Sequence, residues 1–200
     1  MFNRPYFIRL CTLALLQFTL TFLAAACGGA NPTNETPEIS GQPHSALPMP
    51  PVSGKSLSNL GWDLSDGHRG VFSDYKGKVL VLDFYATWCL PCRESIPYLI
   101  ALQKQHGKDG LTIVGLNVGG PGDSERAPDF ARELGIQYPL AVPDGELVSF
   151  LLSDTTDIPQ TFVFDRQGLL TKRLIGFGAA TSGEITQAIE DALRPRPTAN

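Results

Sequence analysis

The run Val79-Leu80-Val81-Leu82-Asp83-Phe84-Tyr85 is apolar at every position but one, an aspartate. Consecutive rather than alternating apolarity predicts a strand buried on both faces. Leu111-Thr112-Ile113-Val114-Gly115-Leu116-Asn117-Val118 repeats the pattern. Between the two, from Cys92 to about His106, Ile96, Leu99, Ile100 and Leu102 recur at helical spacing. Pro97 falls inside that helix and predicts a kink, and Gly107 and Gly110 end it. Upstream, Trp62-Asp63-Leu64 and Gly70-Val71-Phe72 flank Ser65-Asp66-Gly67, which predicts a hairpin.

Downstream, residues 123–134 read as a helix stopped by Gly135, and residues 138–142 as a short strand. Asp144 caps a short helix through Leu152. Thr161-Phe162-Val163-Phe164 and residues 169–175 form a second hairpin around Asp165-Arg166-Gln167-Gly168. Ser182 is placed to cap a last helix with Ile185, Ala188, Ile189 and Leu193 on one face, ended by Pro195 and Pro197. The sum is an α/β fold with a central mixed sheet covered by helices on both faces.

The N-terminus reads differently. Arg4 and Arg9 precede a mostly apolar stretch, residues 10–26, that ends in Ala24-Ala25-Ala26. That is a secretory signal pattern, short and polar for a membrane span, with an uncleaved membrane anchor or plain secretion as the other readings. Leu23-Ala24-Ala25-Ala26-Cys27-Gly28 resembles a bacterial lipobox, in which the cysteine becomes an acylated N-terminus. The usual leucine lies three places before the cysteine; here Ala24 does, with Leu23 one further back. From Gly28 to about Lys55 the chain is rich in Pro, Asn, Thr, Ser and Gly and lacks apolar periodicity, as a disordered tether does. The expected organisation is a signal peptide over 1–26, a lipid-anchored linker over 27–55, a folded domain over 56–194 and a tail over 195–200.

The 200 residues allow one ordinary domain plus these extras, and 42% hydrophobic content supplies a core. A net charge of −4 without a Lys/Arg cluster gives no footprint for nucleic acid. Of four cysteines, Cys11 lies inside the targeting segment and Cys27 at its end. The folded domain keeps only Cys89 and Cys92, which excludes a structural disulfide framework.

Those two stand in Tyr85-Ala86-Thr87-Trp88-Cys89-Leu90-Pro91-Cys92, between a predicted strand and a predicted helix. A C-x-x-C there reads as a dithiol that cycles. The helix start offers unpaired N–H groups and the positive end of the dipole, which favour the thiolate, the nucleophile in exchange. Half of a zinc site is the bland alternative. It needs a second pair, and His44, His68 and His106 are scattered without ligand spacing, so neither metal nor cofactor is expected.

Residues 57–193 resemble the TlpA/ResA type of thioredoxin-fold thiol–disulfide oxidoreductase, in the AhpC/TSA-related thioredoxin superfamily. The carriers are the run from Lys78 through Cys92 to Pro97, and Ile158-Pro159-Gln160-Thr161-Phe162-Val163-Phe164-Asp165. The resemblance implies a thioredoxin-like fold with an N-terminal β-hairpin and a helical insertion over 123–152. It makes Cys89 the attacking and Cys92 the resolving cysteine of a Cys89–Cys92 redox disulfide. Ile158-Pro159 matches the cis-proline step facing that disulfide, where the backbone of Ile158 can meet a partner chain. Trp88 is the aromatic platform, completing with Pro91, Ile158 and Pro159 a substrate-binding set. Asp83, six places before Cys89, matches a buried acid able to take a proton from Cys92. One departure is plain. The ResA subgroup carries a glutamate three places after the second cysteine; here that place is Ser95, and Glu94 lies about 100° away round the helix, towards solvent.

The implied partners are client proteins with cysteine pairs or disulfides, such as apocytochrome c, and a membrane-embedded thiol reductant as electron donor. The implied setting is extracytoplasmic, as a monomer anchored through Cys27. Isoleucine before Pro159 is what reducing thioredoxins carry. Two other readings stay open: a Cu(I)-handling module, since two thiolates bind Cu(I), and a thiol peroxidase.

Overall fold

The computed structural model describes residues 59–195. The signal peptide, Cys27, the tether and residues 196–200 lie outside the described residues.

The elements follow the hydrophobic pattern. A hairpin of β1 (Gly61–Leu64) and β2 (Arg69–Val71) comes first. The apolar run becomes β3 (Val79–Tyr85), buried at all seven positions. Then come α1 (Leu90–His106), β4 (Leu111–Asn117), α2 (Ala127–Leu134), β5 (Leu140–Pro143) and α3 (Gly145–Leu151). The hairpin of β6 (Gln160–Phe164) and β7 (Leu170–Ile175) and the helix α4 (Ala179–Leu193) complete the chain.

All seven strands form one sheet in the order β2-β1-β5-β4-β3-β6-β7. β4 runs parallel to β3 and β5, and the other neighbours are antiparallel. Side chains alternate across a strand. On β3, Val79, Val81 and Tyr85 enter a core with Ile96 and Leu99 of α1, Phe130 of α2, and Ile185 and Ile189 of α4. Leu80, Leu82 and Phe84 enter a second core with Trp62, Phe72, and Leu147 and Leu151 of α3. The central strand therefore holds two cores together, and this is why its sequence is apolar on both faces.

The insertion is fastened by its own cap. The Asp144 side chain accepts from Leu147 N at 2.6 Å, from Gly61 N at 3.0 Å and from Arg69 Nη2 at 2.7 Å. One carboxylate thus starts α3 and ties it to the N-terminal hairpin.

Two local expectations are corrected. Ser182 does not cap the last helix. α4 starts four residues before the place that cap would set, behind Gly178, and the Ser182 hydroxyl donates to the Ala179 carbonyl within the first turn. Ala179 and Ala180 are strong helix formers and carry the helix back to the glycine. The fifth strand lies at Leu140–Pro143, not at 138–142; Tyr138 instead packs into the first core. α1 runs through Pro97 as one helix.

Candidate active site

β3 delivers the chain to the C-terminal end of the central strand at Tyr85, and Ala86, Thr87 and Trp88 turn it into α1. Cys89 is the N-cap: its backbone is extended (φ −80°, ψ 109°), and its Sγ accepts from Cys92 N at 3.2 Å. Pro91 occupies the first turn, where a missing N–H breaks no helix bond. This turn sets the two cysteines' Cα atoms 5.3 Å apart, and their sulfurs are joined in a disulfide. Cys92 is fully buried; beside Cys89, Trp88 is 60% and Leu90 74% exposed. The disulfide thus lies at the foot of an apolar rim turned to solvent.

The peptide bond Ile158–Pro159 is cis. Its Ile158 carbonyl oxygen lies 3.8 Å from Cys89 Sγ. The segment leading into β6 therefore passes directly beside the sulfur. The Trp88 indole N–H donates to the Gly119 carbonyl at 3.3 Å, which fixes the ring against the loop after β4.

Asp83 has no solvent exposure. By strand alternation it points to the same face of β3 as Val81 and Tyr85, the face that carries Cys89 and Cys92. Thr161 Oγ1 donates to its Oδ1 at 3.2 Å, and Oδ2 has no partner. Burial pushes the carboxyl up to about 7, against the weaker opposing pull of the Thr161 hydroxyl. A carboxyl poised there can accept a proton near neutral pH.

Asp123 is a buried hub beside the site that the sequence reading did not single out. It is fully buried. Its carboxylate accepts from Thr87 N at 2.9 Å, from the Thr87 hydroxyl, from Asn117 Nδ2 at 2.8 Å and from Arg126 Nη2 at 2.9 Å. Asn117 Oδ1 in turn accepts from Gly119 N at 3.1 Å. A Cβ at Gly119 would stand 2.1 Å from Asp123 Oδ2, so only glycine admits the carboxylate. Burial pushes Asp123 up, but the bonds from Thr87, Asn117 and Arg126 outweigh it and hold the carboxyl below its usual range. The hub locks the residues before Cys89 to the loop that carries the Trp88 contact. Its only sequence signals are a polar Asn117 ending an apolar strand and a polar Thr87 before the motif.

Arg93 also has a defined place. It pairs with Glu133 of α2, lies 5.2 Å over the Phe130 ring and reaches the Thr87 carbonyl at 3.4 Å. Glu94 is exposed, while Ser95 is buried and donates to the Cys92 carbonyl at 3.0 Å. Of the expected site residues, Cys89, Cys92, Trp88, Pro91, Ile158 and Pro159 gather at the sulfurs, and Asp83 lies on the same face of the sheet. Cys27 is outside the described residues. His68 and His106 sit apart, beside Asp66 and Asp109.

Comparison with known proteins agrees with this geometry. Residues 54–173 match the AhpC/TSA family. The chain is 33% identical over 124 residues to the thiol-disulfide oxidoreductase ResA of Geobacillus kaustophilus, covering 62% of this chain and 68% of that protein. It is 31% identical over 164 residues to the thiol:disulfide interchange protein DsbE of Escherichia coli, covering 82% and 80%. A thiol:disulfide interchange protein of the thioredoxin family from Chlorobium tepidum TLS superposes with a TM-score of 0.58 at 26% identity, covering 72% of this chain and 100% of that one. The disulfide at the helix mouth, the thioredoxin-like sheet around it and these relatives agree: the chain belongs to the AhpC/TSA family and is a thiol-disulfide oxidoreductase of the ResA/DsbE kind.

Proposed function

We propose that this oxidoreductase works outside the cytoplasm, as a monomer anchored through an acylated Cys27, and reduces disulfides in client proteins. The observation that carries the reading is the placement of Cys89 at the mouth of α1. Its sulfur adjoins the Ile158 carbonyl, and a buried carboxyl with one unpartnered oxygen lies on the same face of the sheet.

In the reduced protein, the Cys89 thiolate attacks one sulfur of a client disulfide. The client's other sulfur leaves as a thiolate and takes a proton from water. The client strand lies against the Ile158 backbone, on the rim made by Trp88, Pro91 and Pro159. Cys92 then gives its thiol proton to Asp83 and attacks Cys89 Sγ. The second client sulfur leaves, and the Cys89–Cys92 disulfide forms. Two electrons have passed to the client. A membrane-embedded thiol reductant restores the dithiol. Cysteine pairs of apocytochrome c are the clients that the resemblance to ResA implies.

The export pattern at Arg4, Arg9 and residues 10–26 supports the location, and the lipobox-like stretch supports the anchor. Among the described residues no helix is long and apolar enough to cross a membrane. Insulin reduction in the presence of a dithiol donor tests the reading. Cys89→Ser is expected to abolish turnover, and Cys92→Ser to trap a mixed disulfide. Full turnover by Cys89→Ser contradicts it. Mass analysis of the mature N-terminus tests acylation of Cys27.

A further inference from the structure

In the exchange proposed above, Cys92 passes a proton to Asp83, and that proton has to leave again. Neither residue touches solvent. Among the described residues, five buried side-chain polar atoms lack a hydrogen-bond partner: Trp62 Nε1, His106 Nε2, Asp83 Oδ2 and the hydroxyls of Tyr85 and Tyr138. Such atoms are rare in folded proteins, because each forfeits its hydration.

The last three are neighbours. Asp83 stands opposite Gly115 in the parallel pairing of β3 with β4. A Cβ on Gly115 would lie 3.3 Å from Tyr85 Cε1 and 3.4 Å from Tyr138 Cε2. Both phenol rings therefore pack over the backbone position that pairs with Asp83, and Tyr85 follows Asp83 by two residues on the same face. Both tyrosines also line a cavity of about 570 Å³ open to solvent, walled by Asn117, Ala131, Ile136 and Leu140. It has room for several waters at about 30 Å³ each.

We propose that Tyr138 and Tyr85, with water in this cavity, carry the proton between Asp83 and bulk solvent. A phenol hydroxyl both donates and accepts, so it takes a proton on one lone pair as it releases its own. The Cys92 proton moves to Asp83 Oδ2. None of the three atoms is hydrogen-bonded to another, so from there a water passes the proton to a tyrosine hydroxyl, whose own proton goes to cavity water. No net charge stays on either ring. Burial pushes Tyr85 up to about 12 and Tyr138 well above the ordinary range, so both remain protonated between transfers. The polar and ionisable groups along this path are Thr161, which bonds Asp83, Asp123 behind Asn117, and, from the cavity wall, Ser124, Gln137 and the hairpin carboxylates Asp63 and Asp66. The Asn117 amide donates to Asp123 and its oxygen accepts from Gly119 N, beside the Tyr85 hydroxyl.

The inference rests on Asp83 as proton acceptor of Cys92, and its test separates the two. The oxidised full chain is transferred into D2O at pH 5, where Asp83 is protonated. Time-resolved infrared spectroscopy follows its carboxyl band, identified by its loss in Asp83→Asn. Tyr138→Phe is expected to slow deuterium exchange of that band by at least about tenfold. Its melting temperature should change little, because the ring and its packing over Gly115 are kept. Tyr85→Phe provides the second variant and should slow exchange as well. Exchange as fast in both variants and in their double mutant as in the unaltered chain overturns the relay alone. Resolution of the mixed disulfide at full rate by Asp83→Asn overturns the acceptor role, and the relay's part in exchange with it.

Discussion

At Asp83 the cost of burial meets the exchange chemistry proposed for the site. A carboxyl at about 7 in the folded chain has its unfolded value near 3.9. Below about pH 4 both states hold the proton, and Asp83 is neutral to stability. From about 4 to about 7 the unfolded chain releases its proton and the folded chain keeps it, so stability falls as pH rises. The full penalty above neutrality is on the order of 4 kcal/mol. Asp83→Asn should therefore raise the melting temperature at pH 8 and change it little at pH 4, as thermal unfolding at the two values would show. The same variant should remove the rise in the rate of mixed-disulfide resolution through about pH 7, read by single-turnover kinetics. The burial of Asp83 was legible because an acid inside an apolar run is conspicuous. Asp123 was not. Its importance comes from Thr87, 36 positions away in sequence, and from Asn117 across a loop. Nothing local announces that three segments will converge on one carboxylate.

Among the elements, the mouth of α1 depends on the loops that hold it. Asp123→Ala would strand the Thr87 N–H and the Asn117 amide inside the protein. The expected loss is on the order of 3 kcal/mol by chemical denaturation. It should come with greater mobility of Trp88, measurable as reduced fluorescence anisotropy. The sign with pH is opposite to that of Asp83. Asp123 is held below its usual range, so its stabilisation is complete above about pH 4 and is lost only as acid titrates the folded carboxylate. On the far core, Asp144→Ala removes the cap of α3 and two further bonds to the hairpin. A loss of about 1–2 kcal/mol in unfolding free energy is expected. That cap was readable, because aspartate before an apolar helical pattern is a local signal. The start of α4 was not, because Ser182 offers the same kind of signal inside a helix that Ala179 and Ala180 had already begun.

For the whole molecule, the two-sided burial of β3 was the most informative feature of the sequence. It required helices on both faces, and α1, α2 and α4 on one side with α3 on the other supply them. The strand order was not contained in that pattern. β1 pairs with β5 as well as with β2, and this pairing links the N-terminal hairpin to the insertion. Pairings between segments so distant are set by tertiary packing and by Asp144, which periodicity along the chain does not encode. Among the described residues the sulfurs form one pair, at the end of the central strand, and a redox titration read by alkylation and peptide mass tests that pair most directly. Cys89 and Cys92 are predicted to become alkylated together, in one two-electron step of about 30 mV per tenfold change. The midpoint is expected closer to thioredoxin's value of about −270 mV than to the about −120 mV of a strong oxidant. Alkylation of one cysteine without the other, or no change in either across that range, would contradict a cycling disulfide.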